Sequence, residues 1–371
     1  MPPNSTPSAN PIRRPSPTSW RPAVPASPAT CRACRGSGLG AGGGEDRGVT
    51  FTRLSNLDHF PQHLRGAFVA IGNFDGFHRG HQSILAALRE AARDAGAPAI
   101  VLTFEPHPRD VFAPAPFMFR LTQGSAKAQL AEALGLDGIL VLPFDKAFSQ
   151  IEAETFVEEF LVERMQVRGV FIGADFHFGR QRRGTPLFLQ AEGEKRAFAV
   201  TILDLMDEGD EVISSSRIRA ALSEGSVAAA NRLLGYHWFF DGCVVKGDQR
   251  GRDLGYPTAN TLTPTGFQLA QGVYAVRARL GDRLLDGVAA YGKPMFDNQR
   301  PPFETHLFDF DEDIYDQILH VALVGHIRGQ EVFNGLDELI AAMDRDSRKA
   351  RDMIAKARPI SELDQKLGFF R

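Results

Sequence analysis

The run Ala67-Phe68-Val69-Ala70-Ile71-Gly72-Asn73-Phe74-Asp75-Gly76-Phe77-His78-Arg79-Gly80-His81 decides the fold. Five apolar residues predict a buried strand, the glycines a tight turn, and the apolar spacing over residues 81–95 a helix. In an open α/β sheet such a strand delivers its loop to the carboxyl edge. There, glycines let main-chain N–H groups approach a phosphate at the following helix N-terminus. His78 and His81 flank Gly80 and would both face that phosphate. An imidazole donates to a phosphoryl oxygen and, when protonated, stabilises charge developing there. The plainer alternative is a glycine-rich turn with two solvent-facing histidines.

Downstream, buried strands at residues 99–104, 138–142 and 170–172 alternate with helices at 125–134 and 154–165, which predicts a parallel sheet with crossover helices ending near Leu234. Polar segments follow two of these strands, Thr103-Phe104-Glu105-Pro106-His107-Pro108 and Gly173-Ala174-Asp175-Phe176-His177-Phe178-Gly179. A site at one sheet edge requires such a collection. Ile213-Ser214-Ser215-Ser216-Arg217-Ile218-Arg219 adds hydroxyls at the start of a short helix, with Arg217 able to neutralise a triphosphate. A simple serine N-cap is the alternative.

Beyond Tyr236 the pattern becomes β-rich, with segments at residues 238–245, 273–280, 283–290, 305–310 and 314–324, and predicts a small antiparallel barrel. Residues 335–356 return to helix, with Leu336, Leu339, Ile340 and Met343 as an apolar stripe against that barrel. The barrel opens with Gly247-Asp248-Gln249-Arg250-Gly251-Arg252-Asp253-Leu254-Gly255-Tyr256-Pro257-Thr258-Ala259-Asn260, a loop whose backbone can wrap phosphates. Thr258 and Asn260 offer neutral oxygens suited to a Mg²⁺ shared with nucleotide phosphates; a hydrogen-bonded turn is equally compatible. Alternation puts Glu304, His306, Phe308 and Phe310 on one face, so Glu304 is expected on a partly apolar surface. Desolvation there would make it a better general base. A solvated edge-strand carboxylate is the alternative.

The formal net charge of −3 over 371 residues provides no basic field for duplex nucleic acid. No run of about eighteen apolar residues occurs, so membrane partners are not expected either. A cytoplasmic protein of two domains acting on small molecules is the expectation, compatible with a weak homo-oligomer. Nine of the 23 prolines lie between Pro2 and Pro28 and no acidic residue precedes Glu45, so residues 1–50 are read as a disordered extension. Its Arg and Ser content imitates a transit peptide, but the plainer reading is a start site placed too early, with Val49 as initiator. Gly38, Gly40 and Gly43 match GxGxxG spacing without a flanking strand or helix. Cys31 and Cys34 with His59 and His63 imitate a zinc site at too wide a separation. Cys243 is expected to pack in a strand.

The HxGH pattern at His78–His81, with the serine and arginine segment behind it, resembles the nucleotidylyltransferase superfamily. GNFDGFHRGHQ, TFEPHP, GADFHFG and ISSSRIR together are similar to the FMN adenylyltransferase module of bacterial FAD synthetases. GDQRGRDLGYPTAN, GVYAV, ETHLFDF and HIRGQEVF are similar to the riboflavin kinase family. The chain as a whole resembles the bacterial bifunctional riboflavin kinase and FMN adenylyltransferase family. That resemblance implies a Rossmann-like α/β domain over residues 65–235, a six-stranded Greek-key β-barrel with a C-terminal helix over 236–358, and a tail over 359–371. It implies ATP-dependent phosphorylation of riboflavin to FMN in the barrel, and adenylylation of FMN to FAD with release of pyrophosphate in the α/β domain. No covalent enzyme intermediate is expected.

By resemblance, His78 and His81 act on the ATP phosphates, and Ser214, Ser215, Ser216 and Arg217 clasp the leaving pyrophosphate with Mg²⁺. Gly72, Asn73, Phe74 and Asp75 bind nucleotide in the first domain, as do Gly247, Gly251 and Arg252 in the second. Thr258 and Asn260 hold Mg²⁺ with ATP, Glu304 is the base for the ribityl 5′-hydroxyl, and Asp175 and Arg328 lie near flavin. One departure is Gly292-Lys293-Pro294-Met295-Phe296, where the family usually has a Pro-Thr pair; it bears on kinase affinity or flap closure. Two rivals stay open. One is a nucleotidylyltransferase acting on another phosphate ester, which would not need the barrel motif. The other is a non-catalytic flavin-binding regulator, which would not need Glu304 or the histidines.

Overall fold

The computed structural model describes residues 50–114, 117–204, 206–208, 211–247, 255–292 and 301–370. Six strands form a parallel sheet: β1 (Thr52–Leu54), β2 (Phe68–Ile71), β3 (Ala99–Glu105), β4 (Gly138–Pro143), β5 (Gly169–Gly173) and β6 (Ala199–Leu203), in the order β1-β4-β3-β2-β5-β6. Their near-continuous apolar character follows from burial on both faces. Alternation sends Val69 and Ile71 into one apolar cluster and Ala70 into the other. Helices α1 (Arg79–Asp94), α2 (Pro108–Val111), α3 (Gly124–Ala133), α4 (Ala153–Thr155, continuing as a π-helix over Phe156–Arg164), α5 (Pro186–Arg196), α6 (Ser215–Ser223) and α7 (Val227–Leu234) accompany the sheet, with a short ribbon of β7 (Asp207–Glu208) and β8 (Glu211–Val212). From β2 the chain moves through β3 to β4 on one side, whereas β5 and β6 lie on the other. The strand order therefore reverses between β2 and β5, and the crevice at their carboxyl ends is where ligands bind in such sheets.

The sheet reaches back past residue 65, because β1 pairs with β4 and Leu57, Phe60 and Leu64 are buried. A three-residue strand carries no periodicity, so only its long-range pairing reveals it.

The second half is a closed barrel of β9 (Phe239–Val245), β10 (Ala259–Thr261), β11 (Gly272–Leu280), β12 (Arg283–Tyr291), β13 (Phe303–Leu307) and β14 (Ile318–Arg328), in the order β10-β13-β12-β11-β14-β9. Strands β11, β12 and β13 follow one another and β14 returns beside β11, which is a Greek key. The helix α8 (Leu336–Lys356) packs on the outside of the barrel through Ala350 and Ile354 against Ala275, Phe308 and Ile327. Its buried residues are Ala342, Asp346, Ala350 and Ile354, so the expected stripe is displaced; Leu336 is exposed. Small residues let the helix approach closely, and Asp346 tolerates burial because Arg328 pairs with it at 2.7 Å.

Residues 359–371 do not behave as a tail as far as they are described. Helix α9 (Glu362–Lys366) leads into Phe369 and Phe370, both buried. Asp364, fully buried, accepts from His237 N at 3.0 Å and Ile360 N at 2.9 Å, and its other contact is His237 Nδ1 at 2.7 Å. One apolar cluster runs from the sheet through α6 and α7 into the barrel. Polar ties reinforce it: Trp238 Nε1 donates to Leu121 O at 2.9 Å, Tyr236 Oη to Gly76 O at 2.6 Å, and Asn231 Nδ2 to Leu323 O at 3.1 Å. Among the described residues no helix is long and apolar enough to cross a membrane.

Candidate active sites

The loop after β2 is shaped from below. Phe74 and Phe77 hold φ near +43° and +41°, and their rings stack 5.6 Å apart beneath the surface. Gly76 sits at φ +88°, where a Cβ would approach Leu121 Cδ1 to 2.9 Å, so this turn takes only glycine. Helix α1 starts two residues before the periodicity predicts, because His78 is its N-cap: His78 Nδ1 accepts from His81 N at 3.4 Å. The proton of the neutral His78 ring is then on Nε2, a donor. The His78 and His81 rings stack 3.7 Å apart. Burial brings His78 down to about 4, with Asp75 opposing the shift; burial also drives His81 well below 6.5, helped by His78 and Lys127. The pair is thus a neutral hydrogen-bonding platform at pH 7, and the protonated role is set aside for the ligand-free protein. His81 Nδ1 is sealed from solvent with no hydrogen-bond partner among the described residues.

The serine helix abuts this loop. Ser214 caps α6, its Oγ accepting from Arg217 N at 3.3 Å, and Ser215 Oγ donates to Asp75 O at 2.8 Å. Ser216 is exposed and Arg217 half-buried. Gly72 continues the strand ladder through a bond from its N–H to Leu102 O at 3.1 Å, and Asn73 is exposed beside it. Asp175 lies exposed just past β5, across the crevice from the β2 loop. Gly72, Asn73, Phe74, the two histidines, Ser214–Arg217 and Asp175 therefore share one sheet edge. The Asp75 carboxylate is turned inward from that edge. It is buried, ion-paired with Arg219 and accepting from Thr122 N at 3.0 Å, so it holds the loop from within and presents no face to a phosphate. The sequence pattern also passed over a buried layer under the loop. Lys127 Nζ donates to Asn73 O at 3.0 Å and to Thr103 Oγ1 at 3.1 Å, and Arg120 Nη2 donates to Glu105 Oε1 at 2.8 Å. A lysine in the otherwise Ala- and Leu-lined α3 was the available signal.

On the barrel, Asn260 of β10 is the direct partner of Glu304 of β13, Glu304 of Ala290, Ala290 of Val273, and Val273 of Arg328. Directly opposed residues share a face, so Asn260, Glu304 and Arg328 lie in one row on the outer surface. β13 turns Phe303 and Leu307 inward as the alternation predicted, but Glu304 is exposed, so the expected desolvation is not found. Thr258 lines a cleft of about 360 Å³ with Pro257, Thr305, Phe310 and Tyr315. Gly247 lies so close to the Asn260 amide that a Cβ there would collide with it. Asn260 supplies a neutral oxygen in register with the Glu304 carboxylate, and Thr258, two residues before it, supplies another at the adjoining cleft. That donor set fits a Mg²⁺ that keeps waters and shares nucleotide phosphates, since an all-protein cage needs more ligands. Arg328 ends β14 and clamps Asp346 of α8 through Nε at 3.1 Å and Nη2 at 2.7 Å, so it fixes helix to barrel. Gly251, Arg252, the Lys293–Phe296 departure and the Cys31–Cys34 pair lie outside the described residues.

Comparison with known proteins agrees with both halves. The FAD synthetase family model matches residues 60–217 and the riboflavin kinase family model residues 234–354. The bifunctional riboflavin kinase/FMN adenylyltransferase of Escherichia coli K12 is 37% identical over 308 residues, covering 82% of this chain and 98% of that protein. The Bacillus subtilis protein of the same name is 33% identical over 291 residues, covering 76% and 90%. A solved structure named a macrolide-efflux protein, from Streptococcus pneumoniae, superposes with a TM-score of 0.72 at 28% identity, covering 81% of this chain and 99% of that one. With a family model on each half and relatives matched over almost their full length, the chain belongs to the bifunctional riboflavin kinase/FMN adenylyltransferase family.

Proposed function

We propose that the chain's two family activities are divided between these two sites. The barrel phosphorylates riboflavin to FMN with ATP, and the α/β unit adenylylates FMN to FAD with release of pyrophosphate. The observation that carries the residue assignment is the separate convergence of two constellations: the imidazole pair with the serine helix at the sheet's reversal point, and Asn260 beside Glu304 on the barrel.

In the α/β site, the Nε2 donor of His78 and the ring of His81 hydrogen-bond ATP phosphate oxygens, and the N–H groups at the start of α6 with Arg217 receive the departing pyrophosphate. An FMN phosphate oxygen displaces it directly, so the chain positions the reactants and forms no covalent bond. Asp175 sits on the flavin side of the crevice. In the barrel, Thr258 and Asn260 hold Mg²⁺, which when bound neutralises phosphate charge during transfer. Glu304, exposed on the outer face of the barrel, accepts the ribityl 5′-hydroxyl proton. Both reactions consume ATP, which points to the cytoplasm.

Replacing Glu304 by alanine should abolish FMN formation from riboflavin, a loss of roughly 10²–10⁴-fold for a general base, while FAD still forms from supplied FMN. His81→Ala should do the reverse. Loss of both activities in either folded variant would contradict the division.

A further inference from the structure

Beneath the imidazole pair lies a buried charge layer that does not balance. Among the described residues, Arg120, Lys127 and Arg219 pair with two carboxylates, Glu105 and Asp75. Glu105 Oε1 is shared between Arg120 at 2.8 Å and Lys127 at 3.5 Å, and Arg219 takes Asp75. Lys127, 1% exposed, thus shares the Glu105 carboxylate with Arg120, and its shortest hydrogen bonds go to the neutral oxygens of Asn73 and Thr103. Arg120 Nε is also buried without a partner among the described residues. A surplus cation in a poorly hydrated place is costly unless an anion arrives to meet its field. In such a place its field is weakly screened and reaches phosphates strongly. Both imidazoles above it are neutral, so the positive potential under the loop does not come from them.

We propose that Lys127 is a positioning residue for FMN adenylylation: it fixes the Asn73 carbonyl, and with it the phosphate-facing loop, while setting an only partly compensated positive charge beneath the ATP phosphates. The inference rests on assigning adenylylation to the imidazole site. Burial brings the Lys127 ammonium down to about 8. Glu105 from β3 and Asp75 from the β2 loop oppose the shift, and Arg120 adds to it. From α1, His81 is in turn held neutral partly by Lys127. Lys127 is charged below about pH 8 and loses its proton above it, so adenylylation should fall as the pH rises through that value, with no matching fall in the kinase reaction.

The test measures both activities on one preparation of the full chain, with the kinase reaction reporting the folded state. Lys127→Met should lower kcat/KM for ATP in FAD formation by roughly 10²-fold, the scale of one lost electrostatic contact, and leave FMN formation unchanged. Lys127→Arg keeps the charge and should retain FAD formation, while the alkaline limb near pH 8 moves up. Unchanged FAD formation in Lys127→Met would overturn the proposal. So would an alkaline limb in Lys127→Arg at the wild-type pH, which decides the matter if the methionine variant does not fold. His81→Ala is assayed alongside. If it loses FAD formation and Lys127→Met does not, this proposal alone fails; if it too keeps FAD formation, the site assignment fails.

Discussion

Replacing Phe370 by alanine tests how much of the fold depends on the last residues of the chain. The ring is 1% exposed, stacks on His237 at 3.8 Å, and lies 4.9 Å from the Arg277 guanidinium. Truncation leaves no buried polar group orphaned, because Arg277 keeps Asp286 at 2.7 Å and His237 keeps Asp364. The cost is therefore that of an aromatic cavity, about 3–5 kcal/mol. That is a large share of the roughly 5–15 kcal/mol by which a native domain exceeds its unfolded state. Urea unfolding followed by circular dichroism measures it directly, with both activities assayed along the same titration. Because the segment ties the residue that enters the barrel to helix α9, the two activities should fall in a common, earlier transition. A stability loss under about 1 kcal/mol would refute the reasoning, since an ordinary surface change costs no more than that.

Three further outcomes follow from the sites. Asp75→Asn should destabilise the protein by about 3 kcal/mol, the low end for a broken buried pair, because it leaves the half-buried Arg219 guanidinium without its carboxylate; a loss below about 1 kcal/mol would mean the pair contributes little. His78 is held at about 4 in the folded chain against 6.5 when unfolded. As pH falls from 6.5 the unfolded chain takes up the proton first, so folded stability declines towards pH 4 by roughly 3 kcal/mol. His78→Gln should lack that part of the decline, and identical pH–stability slopes for the two proteins would contradict the burial argument. Chelation of divalent cations should stop FMN formation and added Mg²⁺ restore it, as measured by chromatography of the flavins; kinase activity that persists in chelator would remove the role given to Thr258 and Asn260.

The four central strands were legible because they are continuous apolar runs: β2 to β5 fall within a residue or so of the predicted bounds, whereas the edge strands β1 and β6 were not predicted. The strings that end those strands converge because parallel topology sends every carboxyl end to one edge. What the sequence hid depends on partners far along the chain. Asp75 reads as one more polar residue in a phosphate loop until Arg219, 144 residues away, is found on its carboxylate. Asp364 and Phe370 read as a tail until His237 is found between them, and the tie of Arg328 to Asp346 of α8 carries no signature in the sequence. The helix expected over residues 154–165 is present, but most of it is wound as a π-helix, a hydrogen-bonding choice that side-chain periodicity does not encode. Glu304 was placed on the correct face and in the wrong environment: alternation sets direction, whereas exposure depends on what covers the strand.

The most direct measurement of the central claim mixes two full-length variants, each lacking one activity. Glu304→Ala and His81→Ala, each given riboflavin, ATP and Mg²⁺, should make no FAD alone, the first stopping at riboflavin and the second at FMN. Combined in one tube they should convert riboflavin through to FAD, because FMN made by one chain is adenylylated by the other. A mixture that makes no FAD from two folded variants, or either variant completing the conversion by itself, would contradict two separate sites with one reaction each.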